Sequence, residues 1–319
     1  MATSTSRNGT RTQASSRNGG DGSASRGDRG AGHANGGGDD SPSGLQGLIE
    51  RRRKGWQIGE PDHEFFHRQR HFWNFVNDHY FRMEIGGWHR LPDGPCMLVG
   101  VHASSVVPME AWSFVQEWWR HFGRERILHG TTHDALFVLP GIGDYFRRLG
   151  VIPASPESIS AAFAAGHDAI VWPGGELDAF RAWTKRDHVV LGGRVGFVRQ
   201  AITSGVPIVP VAATGGSDTV IVLSEGRRLA QVLGLKKLLR AEVLPITFGL
   251  PLGFLQTVLP AIPMPAKLRL EILDPVEVDH DPERAGDKRY VKTKFRQVER
   301  RLQQGVDELA KRRSFPIFG

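Results

Sequence analysis

The chain has 319 residues, of which 39% are hydrophobic and 24% charged, and its formal net charge is +7. This length and composition allow one large domain with a buried core. The single cysteine, Cys96, excludes an internal disulfide and fits a reducing, cytoplasmic compartment.

Residues 1–44 predict a disordered tail. They contain 11 of the 39 glycines and no Leu, Ile, Val or aromatic residue, so burial there cannot offset chain entropy. They also lack the apolar core of a secretory signal. We therefore predict one domain over residues 45–319, with an aromatic amphipathic helix region at 45–90, an α/β core at 91–280 and a basic helix at 281–319.

The segment from about His63 to Phe81 interleaves aromatic side chains with Arg and His. This pattern suits a helix lying at a membrane interface. It equally suits an aromatic helix packed on the domain's own core, and both interpretations stay open.

Candidate strands and helices alternate along the core. Apolar runs predict strands at Met97–Val101, Arg126–His129, Ala169–Trp172, Ile208–Ala212 and Lys267–Ile272. Helical periodicity lies at about Pro108–His121, Leu136–Leu149, Ser158–Ala165 and Gly196–Ser204. The predicted fold class is α/β, a largely parallel mixed sheet flanked by helices.

The strand Met97–Val101 ends at His102, and Glu110 follows eight residues later, two past Pro108. We expect the strand to deliver His102 to the edge of the sheet and Glu110 to stand in the first turn of the next helix. A continuous helix would separate these side chains by about 12 Å along its axis. A histidine–carboxylate pair therefore requires a loop that folds Glu110 back toward His102.

Two further groups follow predicted strands, Pro173–Glu176 and Thr214–Ser217. If the strands are parallel, both groups share an edge with His102, where open α/β folds bind ligands. Their glycine pairs allow a ligand close to backbone N–H groups, although each pair alone is as often an ordinary turn. Neither matches a nucleoside-triphosphate or dinucleotide motif.

Two C-terminal segments concern the membrane. Residues 243–266 carry no charge, but five prolines exclude a regular spanning helix and leave a monotopic or re-entrant contact open. Residues 281–319 hold 11 Lys or Arg against 6 Asp or Glu, mostly on a predicted helix from about Lys288 to Lys311. This helix has apolar residues every three or four positions, at Val291, Phe295, Val298, Leu302, Val306 and Leu309, so one of its faces should pack on the domain. Its basic face is either simply solvated or bound to an anionic membrane surface. No nucleic-acid-binding motif is present, so no nucleic-acid partner is expected.

Several motifs occur in a familiar order. They are His102 after its strand, Pro140-Gly141-Ile142-Gly143 before Arg147-Arg148-Leu149-Gly150, Trp172-Pro173-Gly174-Gly175-Glu176, and Gly205-Val206-Pro207-Ile208-Val209-Pro210-Val211. From about Tyr80 onward the chain resembles the glycerolipid and lysophospholipid acyltransferase superfamily, and within it the monoacylglycerol/diacylglycerol acyltransferase-like branch.

This resemblance implies transfer of a fatty acyl group from acyl-CoA, as co-substrate, to a hydroxyl of a lipid acceptor. It implies no metal and no other cofactor, and a peripheral or monotopic protein on the cytoplasmic face of a membrane. His102 would be the general base and Glu110 its orienting acid. The implied substrate-binding residues are Ser104, Ser105, Pro173, Gly174, Gly175, Glu176, Arg181 and Arg194.

The chain departs from the superfamily at three positions. The superfamily's usual acid lies five residues after its histidine, where this chain has Val107, so Glu110 is the proposed replacement. Ser104 stands where the branch often has a second histidine. Leu177 stands where enzymes of glycerol phosphates carry an arginine, which favours a neutral acceptor unless Arg181 or Arg194 supplies the charge.

Other classes are weighed against this interpretation. A serine hydrolase using Ser104 or Ser105 lacks the Gly-x-Ser-x-Gly elbow. Cys96 precedes the strand, at the end opposite His102, which disfavours a Cys–His pair. The main alternative is a non-catalytic lipid-binding protein that keeps the fold but has lost activity with the altered histidine–acid spacing.

Overall fold

A computed structural model describes residues 58–102, 108–138, 141–235, 242–249, 253–256, 262–313 and 315. The predicted tail and the first residues of the predicted domain lie outside this range. Within it, no helix is long and apolar enough to cross a bilayer.

Two of the longer described helices begin at an aspartate whose side chain caps the first turn. Helix α1 (His63–Phe75) starts where Asp62 accepts a hydrogen bond from the Phe65 N–H. The others are α2 (Met109–Phe122), α3 (Ile142–Arg148), α4 (Pro156–Ala164), α5 (Gly175–Ala179), α6 (Gly196–Ser204), α7 (Arg227–Val232) and α8 (Lys288–Lys311). Asp287 caps α8 by accepting from two N–H groups of its first turn. Such caps satisfy N–H groups that have no partner inside the helix.

The strands form two sheets. They are β1 (Glu84–Gly86), β2 (Met97–Gly100), β3 (Leu128–Thr132), β4 (Ile152–Pro153), β5 (Asp168–Val171), β6 (Ile208–Thr214), β7 (Ile221–Ser224), β8 (Ile246–Gly249), β9 (Gly253–Gln256) and β10 (Arg269–Ile272). The main sheet has the order β1-β10-β6-β2-β5-β3-β4 and is parallel except where β10 meets β6. The second sheet, β7-β8-β9, is antiparallel. The predicted α/β class with a largely parallel mixed sheet is confirmed.

Most predicted boundaries move by one or two residues, and three elements change more. Strand β3 runs from Leu128 to Thr132 rather than from Arg126 to His129, because its partner β5 begins at Asp168, opposite Leu128. The predicted helix over Leu136–Leu149 divides into a 3₁₀ segment (Asp134–Val138) and α3. Gly141, with a φ of 76°, separates the two. The predicted aromatic helix is α-helical as far as Phe75, and a π-helical turn follows from Val76 to Tyr80.

The core lies on both faces of the main sheet. Every residue of β2, β5 and β6 is buried. Helix α8 has the bounds expected from the sequence and packs on β6 and β10 through the apolar positions that the sequence singled out. Helix α1 buries Phe66 and Trp73 in the core, which confirms the packing interpretation for that face. Phe72 and Phe75 are exposed, and the membrane-interface interpretation stays a prediction.

Candidate active site

The candidate site lies at the carboxyl edge of the main sheet. Strands β6, β2 and β5 are neighbours and parallel, so the residues that follow them emerge at one edge. His102 follows β2, and Trp172 begins the segment after β5. The central position of β2 places His102 between the other two strand ends, where α/β sheets commonly bind ligands.

His102 and Glu110 meet at this edge. The His102 Nδ1 and a carboxylate oxygen of Glu110 are 3.4 Å apart. Glu110 is 1% exposed and His102 17% exposed, so the pair has a buried side and an open side. The chain therefore does bring Glu110 back to the histidine, as the spacing required. Glu110 is in the first turn of α2, where the helix N-terminus favours a negative charge.

Asp178 on α5 is a site residue that the sequence analysis missed. Its carboxylate accepts a hydrogen bond of 2.5 Å from the backbone N–H of His102, and it also contacts the Arg181 guanidinium. Both side chains of this ion pair are buried. The pair therefore ties the end of β2 to α5. Nothing in the spacing of Asp178 and His102, 76 residues apart, pointed to this contact.

Burial raises the pKa of Asp178 to about 6, against the opposing effect of the Arg181 cation and of His102. A fully buried carboxylate loses its hydration, which favours the neutral form. Above about pH 6 the side chain is an anion that can hold both Arg181 and the His102 amide.

Trp172 packs flat against the His102 ring. The two ring centroids are 5.6 Å apart and the planes differ by 11°. A Cβ on Gly100 would lie only 2.5 Å from the Trp172 Nε1, so this glycine leaves room for the indole. Trp172 is the first residue of the Trp172–Glu176 motif, but the sequence analysis did not predict it as a site residue. The stacking shows that it lies beside the imidazole.

The segment Pro173–Glu176 lies directly beyond Trp172. A Cβ on Gly174 would clash with Asp178 and the Val190 carbonyl, so the turn is tight against α5. The Gly175 N–H donates to the Trp172 carbonyl at 3.3 Å, so it already serves the turn. The Glu176 carboxylate accepts from the Glu242 N–H at 3.1 Å. Of the two glycine amides in this segment, the Gly175 N–H serves the turn, whereas no acceptor for the Gly174 N–H is found among the described residues.

The structure separates the two predicted arginines. Arg194 is exposed, and its guanidinium donates to the Pro173 carbonyl at 3.1 Å, beside Gly175. Arg181 is 4% exposed and held by Asp178, so it does not reach the open side of the site. Ser104 and Ser105 lie outside the described residues. Cys96 is buried before β2, at the far end of the strand from His102, and burial raises the pKa of its thiol well above its usual value.

A narrow, mainly apolar pocket adjoins the pair. Glu110 is its one charged lining residue, and the remaining walls come from the main sheet, Trp172 and Phe114 of α2. Among the described residues, no group of three or more His, Cys, Asp or Glu is placed to hold a metal ion.

A histidine–carboxylate pair at the carboxyl edge of a parallel sheet is an arrangement that can take up and return a proton. The model of the diacylglycerol acyltransferase family matches residues 57–295, and the chain belongs to this family. It is 28% identical over 242 residues to an uncharacterized protein of Mycobacterium tuberculosis, covering 75% of this chain and 65% of that protein. The matched region therefore spans slightly less than two thirds of that relative.

Two animal enzymes and one bacterial structure are also similar. The chicken "DGAT1/2-independent enzyme synthesizing storage lipids" is 25% identical over 51% of this chain and 49% of its own length. The human acyl-CoA wax alcohol acyltransferase 2 is 30% identical over 33% of this chain and 35% of its own length. The 1-acyl-sn-glycerophosphate acyltransferase PlsC from Thermotoga maritima has a TM-score of 0.47 at 17% identity, covering 85% of this chain and 90% of that one.

Proposed function

We propose that this protein transfers a fatty acyl group from acyl-CoA to the hydroxyl of a glycerolipid or other lipid acceptor at a membrane surface. The observation that carries the proposal is the His102–Glu110 pair at 3.4 Å, with the acid buried and the imidazole open on one side. Family membership supports acyl transfer. The name of the human relative supports coenzyme A as the carrier of the acyl group.

In this mechanism Glu110 orients His102 through Nδ1, which leaves Nε2 for the acceptor. Nε2 takes the hydroxyl proton as the acceptor oxygen bonds to the thioester carbonyl carbon. The carbon–sulfur bond then breaks, and the imidazolium returns the proton to the leaving thiolate. Ester and free thiol are the products. The Gly174 N–H is our candidate donor to the transient oxyanion, and Arg194 our candidate contact for a coenzyme phosphate.

A neutral acceptor, such as a mono- or diacylglycerol, fits the chain best. Leu177 replaces the arginine that would hold a phosphate, and it packs with Ala179, Phe180 and Val243 in a small apolar cluster. A leucine offers a phosphate no hydrogen bond.

The test incubates purified protein with radiolabelled acyl-CoA and a panel of neutral and phosphorylated glycerolipids and long-chain alcohols. We expect acyl ester to form with neutral acceptors, and His102→Ala to abolish most of it. Stoichiometric lipid binding without any turnover would contradict the proposal and favour a non-catalytic lipid-binding protein.

A further inference from the structure

The β7-β8-β9 sheet has an unusual outward face. Register places Ile221, Phe248 and Phe254 opposite one another on adjacent strands, and Ile246 two residues before Phe248 shares their side. The opposite side carries Val222 and Thr247, which are buried. We call the four residues Ile221, Ile246, Phe248 and Phe254 the apolar face.

Two of the four residues of the apolar face are exposed to solvent, and Ile221 and Phe248 are half-buried. Phe254 is 73% exposed, its ring packs edge-on against Phe248 at 5.2 Å, and Ile246 is also exposed. A sheet with one solvated side normally alternates polar outside and apolar inside. Here the outward side carries the larger apolar residues, with Ser224 the polar neighbour of Ile246, while Val222 and Thr247 lie inward. A clustered apolar surface of this kind marks an interaction site.

Cations stand next to this face. Arg227 and Arg228 open α7, which starts three residues after β7 ends. Lys185 and Arg227 both contact the Glu225 carboxylate, at 3.5 and 2.5 Å. Lys185, Arg227 and Arg228 thus bring three positive charges to this region against the one negative charge of Glu225. An apolar surface beside surplus positive charge suits lipid chains next to anionic headgroups.

The apolar face is also joined to the candidate active site. Glu225, directly after β7, accepts a hydrogen bond from the Ala182 N–H. The Glu176 carboxylate accepts from the N–H of Glu242, four residues before β8. The sheet is therefore anchored to the segment that runs from the site through α5, at the end where β7 finishes and β8 begins.

From this geometry we infer that the apolar face, with Arg227 and Arg228, is the surface by which the protein docks on an anionic lipid bilayer. The inference rests on the proposed function for its purpose, since docking there would present the lipid acceptor beside the His102 edge. A second copy of the chain fits less well, because a two-fold contact through this face would bring like charges together.

The test measures co-sedimentation with vesicles of phosphatidylcholine containing phosphatidylglycerol, and with phosphatidylcholine alone. We expect the double variant Ile246→Thr, Phe254→Thr to lower the partition coefficient at least about tenfold, because two exposed apolar side chains no longer enter the bilayer. Arg228→Gln should lower it about fivefold, and only on the anionic vesicles.

The matched control is Phe72→Gln, Phe75→Gln on α1, which also removes two exposed apolar side chains. It should bind the anionic vesicles within about twofold of wild type if the apolar face is the docking surface and the exposed side of α1, which the sequence offered as an interfacial helix, is not. Wild-type binding by the Ile246, Phe254 variant, or an equal loss in the control, would overturn the inference. The single variant Phe254→Thr repeats the test at the most exposed position should the double variant fold poorly.

Two further outcomes separate the alternatives. If the double variant changes a dimer to a monomer and leaves vesicle binding intact, the face is a contact between copies and the inference is wrong. Vesicle binding requires no turnover. A wild-type chain that binds through this face without transferring acyl groups would therefore contradict the proposed function and leave the docking inference intact.

Discussion

His102 is held from three sides by side chains that differ in character. Glu110 faces its Nδ1, Trp172 lies along its ring, and Asp178 accepts from its backbone amide. A base that must accept a proton in one direction gains from such constraint, because a fixed ring is already in its reactive orientation. The arrangement suggests separable roles for orientation, stacking and anchoring.

The stacking role predicts a graded response at Trp172. Trp172→Ala should lower kcat by roughly tenfold, since a stacked aromatic pair contributes about 1 kcal/mol. Trp172→Phe keeps a ring at this position and should stay closer to wild type. Initial rates over a range of acceptor concentrations separate kcat from KM. Equal activity of both variants and wild type would show that the indole does not position the base.

The buried histidine His129 leads to a prediction about how the stability of the fold depends on pH. His129 is fully buried, its Nδ1 lies 2.7 Å from the Gly150 carbonyl, and burial lowers its pKa from 6.5 to about 4. As the pH falls, His129 therefore takes up a proton in the unfolded chain at a higher pH than it does in the folded chain. The contribution to stability is complete above about pH 6.5 and is lost as the pH falls through about 4, amounting to about 3 kcal/mol.

Urea unfolding at several pH values between these limits checks this prediction. His129→Gln should lose less stability on acidification than wild type. His188→Gln, a change at an exposed histidine, should keep the wild-type pH dependence. If all three proteins respond alike, His129 does not take up the proton that we assign to it.

At the scale of elements, the Asp178–Arg181 pair couples α5 to the end of β2. Arg181→Met would leave Asp178 buried without its cation, which should lower the free energy of unfolding by about 3 kcal/mol or more. Adding Asp178→Asn removes the stranded charge and keeps an acceptor for the His102 amide. The double variant should therefore be more stable than Arg181→Met in urea. A double variant of equal or lower stability would contradict this account of the pair.

Helix α8 supplies a comparison between its two faces. Leu302 is fully buried against the sheet, whereas Arg300 is exposed on the same helix. Leu302→Ala should destabilise the fold by about 2–5 kcal/mol, and Arg300→Ala by less than about 0.5 kcal/mol. Thermal unfolding measured on both variants tests this. A similar shift in both would mean that the helix does not pack by its apolar stripe.

For the whole molecule, sequence reasoning succeeded where periodicity was strong. The apolar stripe of α8 and the buried run of β2 predicted their elements well, because each pattern directly reflects burial on one side or on both. The β7-β8-β9 sheet was not predicted, because its outward face is apolar. Its strands therefore lack the polar-outside, apolar-inside alternation by which a half-buried strand is recognised.

Residues of the candidate site were predictable only where they directly follow a strand and so lie at the edge of the sheet. His102 and the Pro173–Glu176 segment follow strands, so the parallel order brought them to one edge. The distance from His102 to Glu110 depends on the loop between them. The motif could therefore show only that a pair requires this loop to fold Glu110 back toward His102. Asp178 needed the packing of α5 on the end of β2, which no local pattern records.

The most direct test of the central claim is the acyl-transfer rate of His102→Ala, Glu110→Gln and the double variant, with Val107→Ala as control. Each single change at the pair should slow transfer roughly 10²- to 10⁴-fold, and the double variant should be only slightly slower than His102→Ala, because the two residues act as a unit. Val107→Ala should transfer at nearly the wild-type rate. A fast His102→Ala, or an active Glu110→Gln beside a slow Val107→Ala, would contradict the account.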